Sequence, residues 1–301
     1  MPIQFLNRQA LNLARWDRCV AADTASLPYG LSWWLDAVTD KNWDGVVVDD
    51  YRLVLPLPKG KSLGRVAQVQ RASFTQQGGP FGQLRSGDVH DILHALPPRY
   101  LSFQLPLQEG IVPTDVPSGF STRTRTNYIL DLSPTYEEIN LGFNKVLRRK
   151  LRRNGPATLS PAEPDLIIEL YQNSVGTKAG LQPKHYRWIR QLMVAAQANE
   201  SAVLCRLDDP ENGCLAAGFF PWYQGRLINL FAASSPAGYQ HEGMARMLVA
   251  LIKQHRGAGC LLDFEGSDIP GVAEYFRSFG PERRQYLTVE RKGVRKWIGK
   301  V

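Results

Sequence analysis

Leu227-Ile-Asn-Leu-Phe-Ala-Ala233, Ser234-Ser-Pro-Ala-Gly-Tyr239 and Gln240-His-Glu-Gly-Met-Ala245 follow one another without a break. The apolar run predicts a strand and the Ser-Pro-Gly cluster a turn. Past the turn, Met244, Met247, Leu248, Leu251 and Ile252 recur at helical spacing. A strand, a turn and a helix entered through Gly243 make an anion cradle. The first N–H groups of a helix have no intrahelical acceptor, that end carries partial positive charge, and a residue without a side chain lets a diphosphate approach. Ala232, Ala233, Gln240, His241, Glu242, Gly243, Met244, Ala245 and Arg246 are the candidate anion-binding residues, with Arg246 and Lys253 expected toward outer phosphates. A glycine that only eases packing on the sheet accounts for the same pattern.

Outward from this stretch, strands are predicted at 202–207, 215–222 and 260–265, a helix at 243–255, a helix near 272–279 and a strand at 285–290. Earlier, a strand at 127–132 precedes Ser133-Pro134, an N-cap with proline at the first helical position. The helix it opens carries Tyr136, Ile139, Phe143, Val146, Leu147 and Leu151 on one face, and helical patterns recur at 165–175 and 183–198. Upstream, a helix around 33–38, two strands at 45–49 and 51–57 hinged at Asp49-Asp50, a helix at 88–96 and a strand at 101–105 form another α/β layer. Between the layers, residues 109–121 hold two prolines and two glycines with little apolar periodicity, the best linker. The expected division is therefore 1–120 and 121–301, two mixed α/β halves.

The 301 residues are 44% apolar and 21% charged, ample for buried cores. The first residues have no apolar block of signal-peptide type, and no apolar stretch is long enough to span a bilayer, so the expectation is a cytoplasmic protein. Four cysteines without a CxxC spacing fit buried free thiols. The formal net charge of +8 suits a polyanionic partner: a phosphate-bearing cofactor, a nucleic acid or an anionic membrane surface.

Gln240-His-Glu-Gly-Met-Ala245 resembles the Q/R-x-x-G-x-G/A signature with which GNAT acyltransferases hold the pyrophosphate of acyl-CoA. Asp263-Phe-Glu-Gly-Ser267 and Gly271-Val-Ala-Glu-Tyr-Phe-Arg-Ser-Phe-Gly280 look like the last strand and helix of Fem-type tandem GNAT proteins. Ser32-Trp-Trp-Leu-Asp36, Leu55-Pro-Leu57 and Phe74-Thr-Gln-Gln77 are similar to a bacterial group of such proteins. The resemblance implies two GNAT-like halves in tandem, an acceptor-side first half and a donor-binding, catalytic second half. It also implies an acyltransferase with acyl-CoA, such as acetyl-CoA, as co-substrate and a small-molecule or peptide amine as acceptor. The Fem-type alternative is an aminoacyltransferase using aminoacyl-tRNA and a peptidoglycan precursor. A non-catalytic protein on a GNAT scaffold is the third reading, favoured by Phe276 at the place where single-domain members often carry an acidic tyrosine.

Amine acylation needs a base and converging donors for an oxyanion. Asp263 and Glu265, two apart on the predicted strand, share a face at its carboxyl end. Glu265 is the candidate base or acceptor-orienting carboxylate, Ser267 its assistant, Tyr275 the substitute acid, and backbone amides near 231–233 the oxyanion donors. Salt bridges or helix capping would equally account for the two carboxylates.

Residues 145–153 hold six cations in nine positions, and Lys145, Arg148, Arg149, Arg152 and Arg153 form a candidate patch for tRNA, a nucleotide-linked precursor or lipid headgroups. A solvated helix face explains the run too. His90 and His94 share a helical face without a third ligand, so no metal is expected. No Gly-x-Ser-x-Gly elbow is present, and Lys178 sits in a glycine-bounded segment.

Overall fold

The computed structural model describes residues 2–25, 27–63, 66–176, 180–266 and 268–291. The chain divides into two compact units, Met1–Arg125 with Gln285–Val301, and Thr126–Arg284. The sequence-based division left residues beyond 284 with the second half, whereas the returning strand pairs inside the first unit.

In the first unit, β1 (Ile3–Asn7), α1 (Leu13–Ala21), α2 (Ser32–Thr39), β2 (Trp43–Val48), β3 (Leu53–Leu63), β4 (Val66–Gln70), β5 (Phe81–Gly82), α3 (Asp88–His94) and β6 (Tyr100–Pro106) follow in order. The last described strand, β14 (Glu282–Arg291), completes the strand order β1-β2-β3-β4-β6-β14, with β5 on β3. Its Val289 stands opposite Leu105. All pairs are antiparallel except β4 with β6, so the sheet is mixed. β2 and the start of β3 are buried on both faces, and every second residue, Val46, Val48, Leu53, Leu55 and Leu57, joins one core with Phe103, Leu105 and Val289. The predicted hairpin is present. Its turn carries three left-handed residues in succession, Asp49 (φ 45), Asp50 (φ 58) and Tyr51 (φ 70). Arg52 donates to Asp49, Arg15 pairs with Asp50, and the Tyr51 hydroxyl accepts from the Asn12 amide. Trp34 is fully buried and donates to Thr75 Oγ1 at 3.1 Å.

The second unit starts within β7 (Ser121–Asp131) and runs through α4 (Tyr136–Gly142), α5 (Lys145–Arg152), β8 (Thr158–Pro161), α6 (Pro164–Tyr171) and α7 (Pro183–Ala198). It continues through β9 (Ala202–Asp209), β10 (Gly213–Tyr223), β11 (Arg226–Ile228), β12 (Phe231–Ser234), α8 (Pro236–Gln240), α9 (Gly243–His255), β13 (Leu261–Asp263) and α10 (Pro270–Arg277). Strand order is β7-β13-β11-β10-β9-β8, with β12 on β10 and the β11–β13 pair parallel. Met247, Leu248, Leu251 and Ile252 of α9 are each 0% exposed. At about 1.5–3 kcal/mol per buried side chain they pin the helix to the sheet.

One continuous helix was expected across residues 136–151, and the chain makes two. Phe143 is extended, and Asn144 caps a new helix by accepting from the Leu147 amide at 2.8 Å. The break seats Gly280, left-handed at φ 71, where a Cβ would come within 2.5 Å of the Gly142 carbonyl oxygen. Val146, placed on the apolar face by periodicity, is 50% exposed as a result.

Candidate active site

The expected strand 227–233 is interrupted. Through Ile228, β11 runs parallel to β13 with Ile228 opposite Asp263, and the Asn229 amide still donates to the Asp263 carbonyl at 2.8 Å. The Leu230 amide then turns back on the Ile228 carbonyl, and β12 pairs only with β10 among the described strands. On the other side, the Phe264 amide donates to Tyr128 of β7. Two neighbouring strands thus part company at Ile228 and Asp263, leaving one edge of β12 without a strand partner. Phe231, at the start of β12, stacks on Tyr171 with ring centroids 3.9 Å apart. Tyr171 ends α6 and leads into a π-helical turn, Gln172–Gly176. Sequence reading missed both the stack and this turn, since the helix predicted at 165–175 ran straight through Tyr171.

The turn 234–239 contains the short α8, whose N-cap Ser235 accepts from the Gly238 amide at 3.0 Å. Glu242 then enters α9 in the left-handed region (φ 54) and makes no side-chain cap. The first intrahelical bond is Arg246 N to the Glu242 carbonyl, so the amides of Gly243, Met244 and Ala245 precede the ladder. No partner for them occurs among the described hydrogen bonds. The Glu242 carboxylate instead pairs with Lys150 of α5 at 2.8 Å.

Gly243 was expected to let a diphosphate in close. Its missing Cβ serves packing: an added Cβ would stand 2.8 Å from the Leu215 carbonyl oxygen, and one on Gly238 would stand 1.8 Å from that same atom. Leu215 lies where the β9–β10 register slips, and its carbonyl accepts from the Ser235 amide at 2.9 Å. The bulge turns the carbonyl toward the start of α8. Arg246 does not face outer phosphates either. It is 8% exposed and donates to the carbonyls of Gly155, Pro156 and His241 and to Asp209, because the loop after α5 folds over it. Lys253 lies over the Tyr136 ring at 4.3 Å. Ala232 and His241 are half-buried, Ala233 is buried and Gln240 is exposed.

The carboxylates do not share a strand face. β13 ends at Asp263, which is 0% exposed, accepts from buried Arg226 at 3.2 Å and takes the Glu265 amide at 2.7 Å. Glu265 is half-buried in the left-handed region (φ 58), followed by Gly266 (φ 55), where a Cβ would meet the Thr126 carbonyl oxygen at 2.1 Å. Asp263 is therefore a structural anion, and its backbone turn is what presents Glu265. Ser267 and Lys178 lie outside the described residues.

Tyr275 has a buried hydroxyl without a hydrogen-bond partner among the described residues. Burial pushes its pKa above the ordinary tyrosine value and the Glu242 carboxylate adds to this, so the group is a neutral O–H donor. Phe276 packs on Phe264 at 5.0 Å as core. His90 and His94 stack ring on ring at 5.9 Å. On α5, Lys145, Arg148, Arg149 and Arg152 line a groove of about 750 Å³, and Arg153 is exposed at the helix end.

No family model matches the chain, and no curated protein matches it. Solved structures do. FemX superposes with a TM-score of 0.67 at 13% identity, covering 95% of this chain and 97% of its own. L-PGS from Bacillus licheniformis gives 0.55 at 14% identity, with 93% and 91% covered. Saccharomyces cerevisiae N-myristoyltransferase with bound myristoyl-CoA gives 0.52 at 13%, with 97% and 81% covered. The chain therefore has the tandem, GNAT-like α/β fold that these proteins share, and at these identities the fold is what the likeness shows.

Proposed function

We propose that this protein is an N-acyltransferase that takes an acyl group from acyl-CoA and places it on an amine. The observation that carries the reading is the parting of β12 from β13 beside a helix whose N-terminus no side chain caps. An opening between strands admits a pantetheine arm, and unpaired helix amides suit its diphosphate. The structure of N-myristoyltransferase with myristoyl-CoA supports the reading by analogy of fold.

In this reading the amides of Gly243, Met244 and Ala245 hold the diphosphate, flanked by Gln240 and His241. The acceptor nitrogen attacks the thioester carbon while the backbone amide of Ala232, which faces the edge of β12 that no described strand covers, stabilises the oxyanion. Glu265 orients the amine and accepts its proton as the C–N bond forms. The tetrahedral intermediate then breaks its C–S bond, and CoA leaves as the thiolate, which the neutral Tyr275 O–H hydrogen-bonds until solvent returns a proton to it. The reaction belongs to the cytoplasm, where such donors are made.

Calorimetric titration with acetyl-CoA and longer acyl-CoA tests the proposal. Saturable binding is expected, weakened by Gln240→Glu, which sets a carboxylate beside the phosphates without touching the core. Failure to bind any acyl-CoA, together with ribonuclease-sensitive transfer from aminoacyl-tRNA, would replace this donor by the Fem-type one.

A further inference from the structure

We infer that the outer face of α5, with the apolar residues beside it, docks the protein on an anionic lipid surface. Lys145, Arg148, Arg149 and Arg152 stand at i, i+3, i+4 and i+7 and so form one stripe. Together with Asn140 and Tyr136 they line the groove of about 750 Å³, and no acidic side chain among the described residues lines it. None of the four has an ion pair among the described residues. Lys150, on another face of the same helix, does pair, with Glu242.

Charge alone fits any polyanion. The apolar neighbours narrow the choice: Val146, also in the groove wall, is 50% exposed, and Leu141, next in the chain to Asn140, is 71% exposed. A cationic stripe flanked by exposed aliphatic side chains matches the phosphate and acyl zones of a bilayer interface, whereas a nucleic-acid backbone has no use for the aliphatic pair. No described helix is long and apolar enough to cross a membrane, so the attachment is peripheral. The net charge of +8 adds long-range attraction.

Co-flotation of the full chain with vesicles tests this. Binding is expected to vesicles of equal parts phosphatidylcholine and phosphatidylglycerol, not to phosphatidylcholine alone, and is expected to fall steeply with salt. The triple change Arg148→Ala, Arg149→Ala, Arg152→Ala should lower the partition coefficient by about a hundredfold at low salt. Leu141→Ser, at an exposed position that folding does not need, should weaken binding several-fold with the salt slope unchanged. Absence of binding to the anionic vesicles by protein with a native circular dichroism spectrum overturns the inference. So does binding of duplex RNA that Leu141→Ser leaves intact when vesicle binding is also indifferent to that change.

Discussion

The carbonyl oxygen of Leu215 and the Cα of Gly238 stand so close that a Cβ on Gly238 would lie 1.8 Å from the oxygen, closer than any contact tolerates. Gly243 meets the same carbonyl one helix later. Gly238 of α8 and Gly243 of the signature-like segment thus let the start of α9 sit down on the bulge in β10. The helix N-terminus is held in place by that seat, and the amides of Gly243, Met244 and Ala245 precede its first intrahelical hydrogen bond.

Gly238→Ala and Gly243→Ala should each destabilise the fold by about 1–3 kcal/mol or more through overpacking, Gly238→Ala the more severely. Chemical denaturation measures this. Gly243→Glu would fold poorly for the same reason, so lost donor binding in that variant says nothing about phosphate contacts. An unchanged denaturation midpoint in Gly238→Ala would contradict the packing role.

Arg226 and Asp263 are 4% and 0% exposed and meet at 3.2 Å where β11 and β13 run side by side. Asp263→Ala should cost about 3–5 kcal/mol by stranding a buried guanidinium. Replacing both partners by apolar residues should recover much of that loss. A stable, inactive Asp263→Ala protein would instead place the carboxylate in the chemistry.

His255 ends α9 with Nε2 buried and unpaired, its ring 5.0 Å from that of Trp222. Burial pulls its pKa below the ordinary 6.5. The folded state thus binds this proton less readily than the unfolded chain. The contribution to stability is complete above about pH 6.5 and is lost as the pH falls through the lowered value. Thermal melts from pH 8 to pH 5 should show a decline that His255→Asn reduces.

Tyr275→Phe removes a buried hydroxyl without a partner. The melting temperature should hold or rise, since no hydrogen bond in the fold is lost. Transfer should slow by about a hundredfold if the O–H serves the reaction. An equal rate in the variant would leave the hydroxyl without a catalytic part.

Much of the second unit was legible because its patterns are local. The helix predicted at 243–255 is α9 residue for residue, since a full apolar stripe repeats at helical spacing. The strand predicted at 227–233 proved to be two, because the interruption at Asn229 and Leu230 is set by which neighbour each piece pairs with. The break in the helix at Phe143 depends on Gly280, far along the chain, and so escaped periodicity altogether. Among candidate site residues, the helix mouth was readable from a glycine after a turn. That Arg246 turns inward and that Asp263 is a buried partner of Arg226 were not, since both depend on contacts made only in the folded unit.

In the proposed function, the amides at the start of α9 hold the donor's diphosphate. Backbone amide resonances followed during titration with CoA test it most directly. Saturable shifts are expected in Gly243, Met244 and Ala245 at the lowest CoA concentrations that shift any amide at all. Shifts confined to other parts of the chain, or none at saturating CoA, would contradict it.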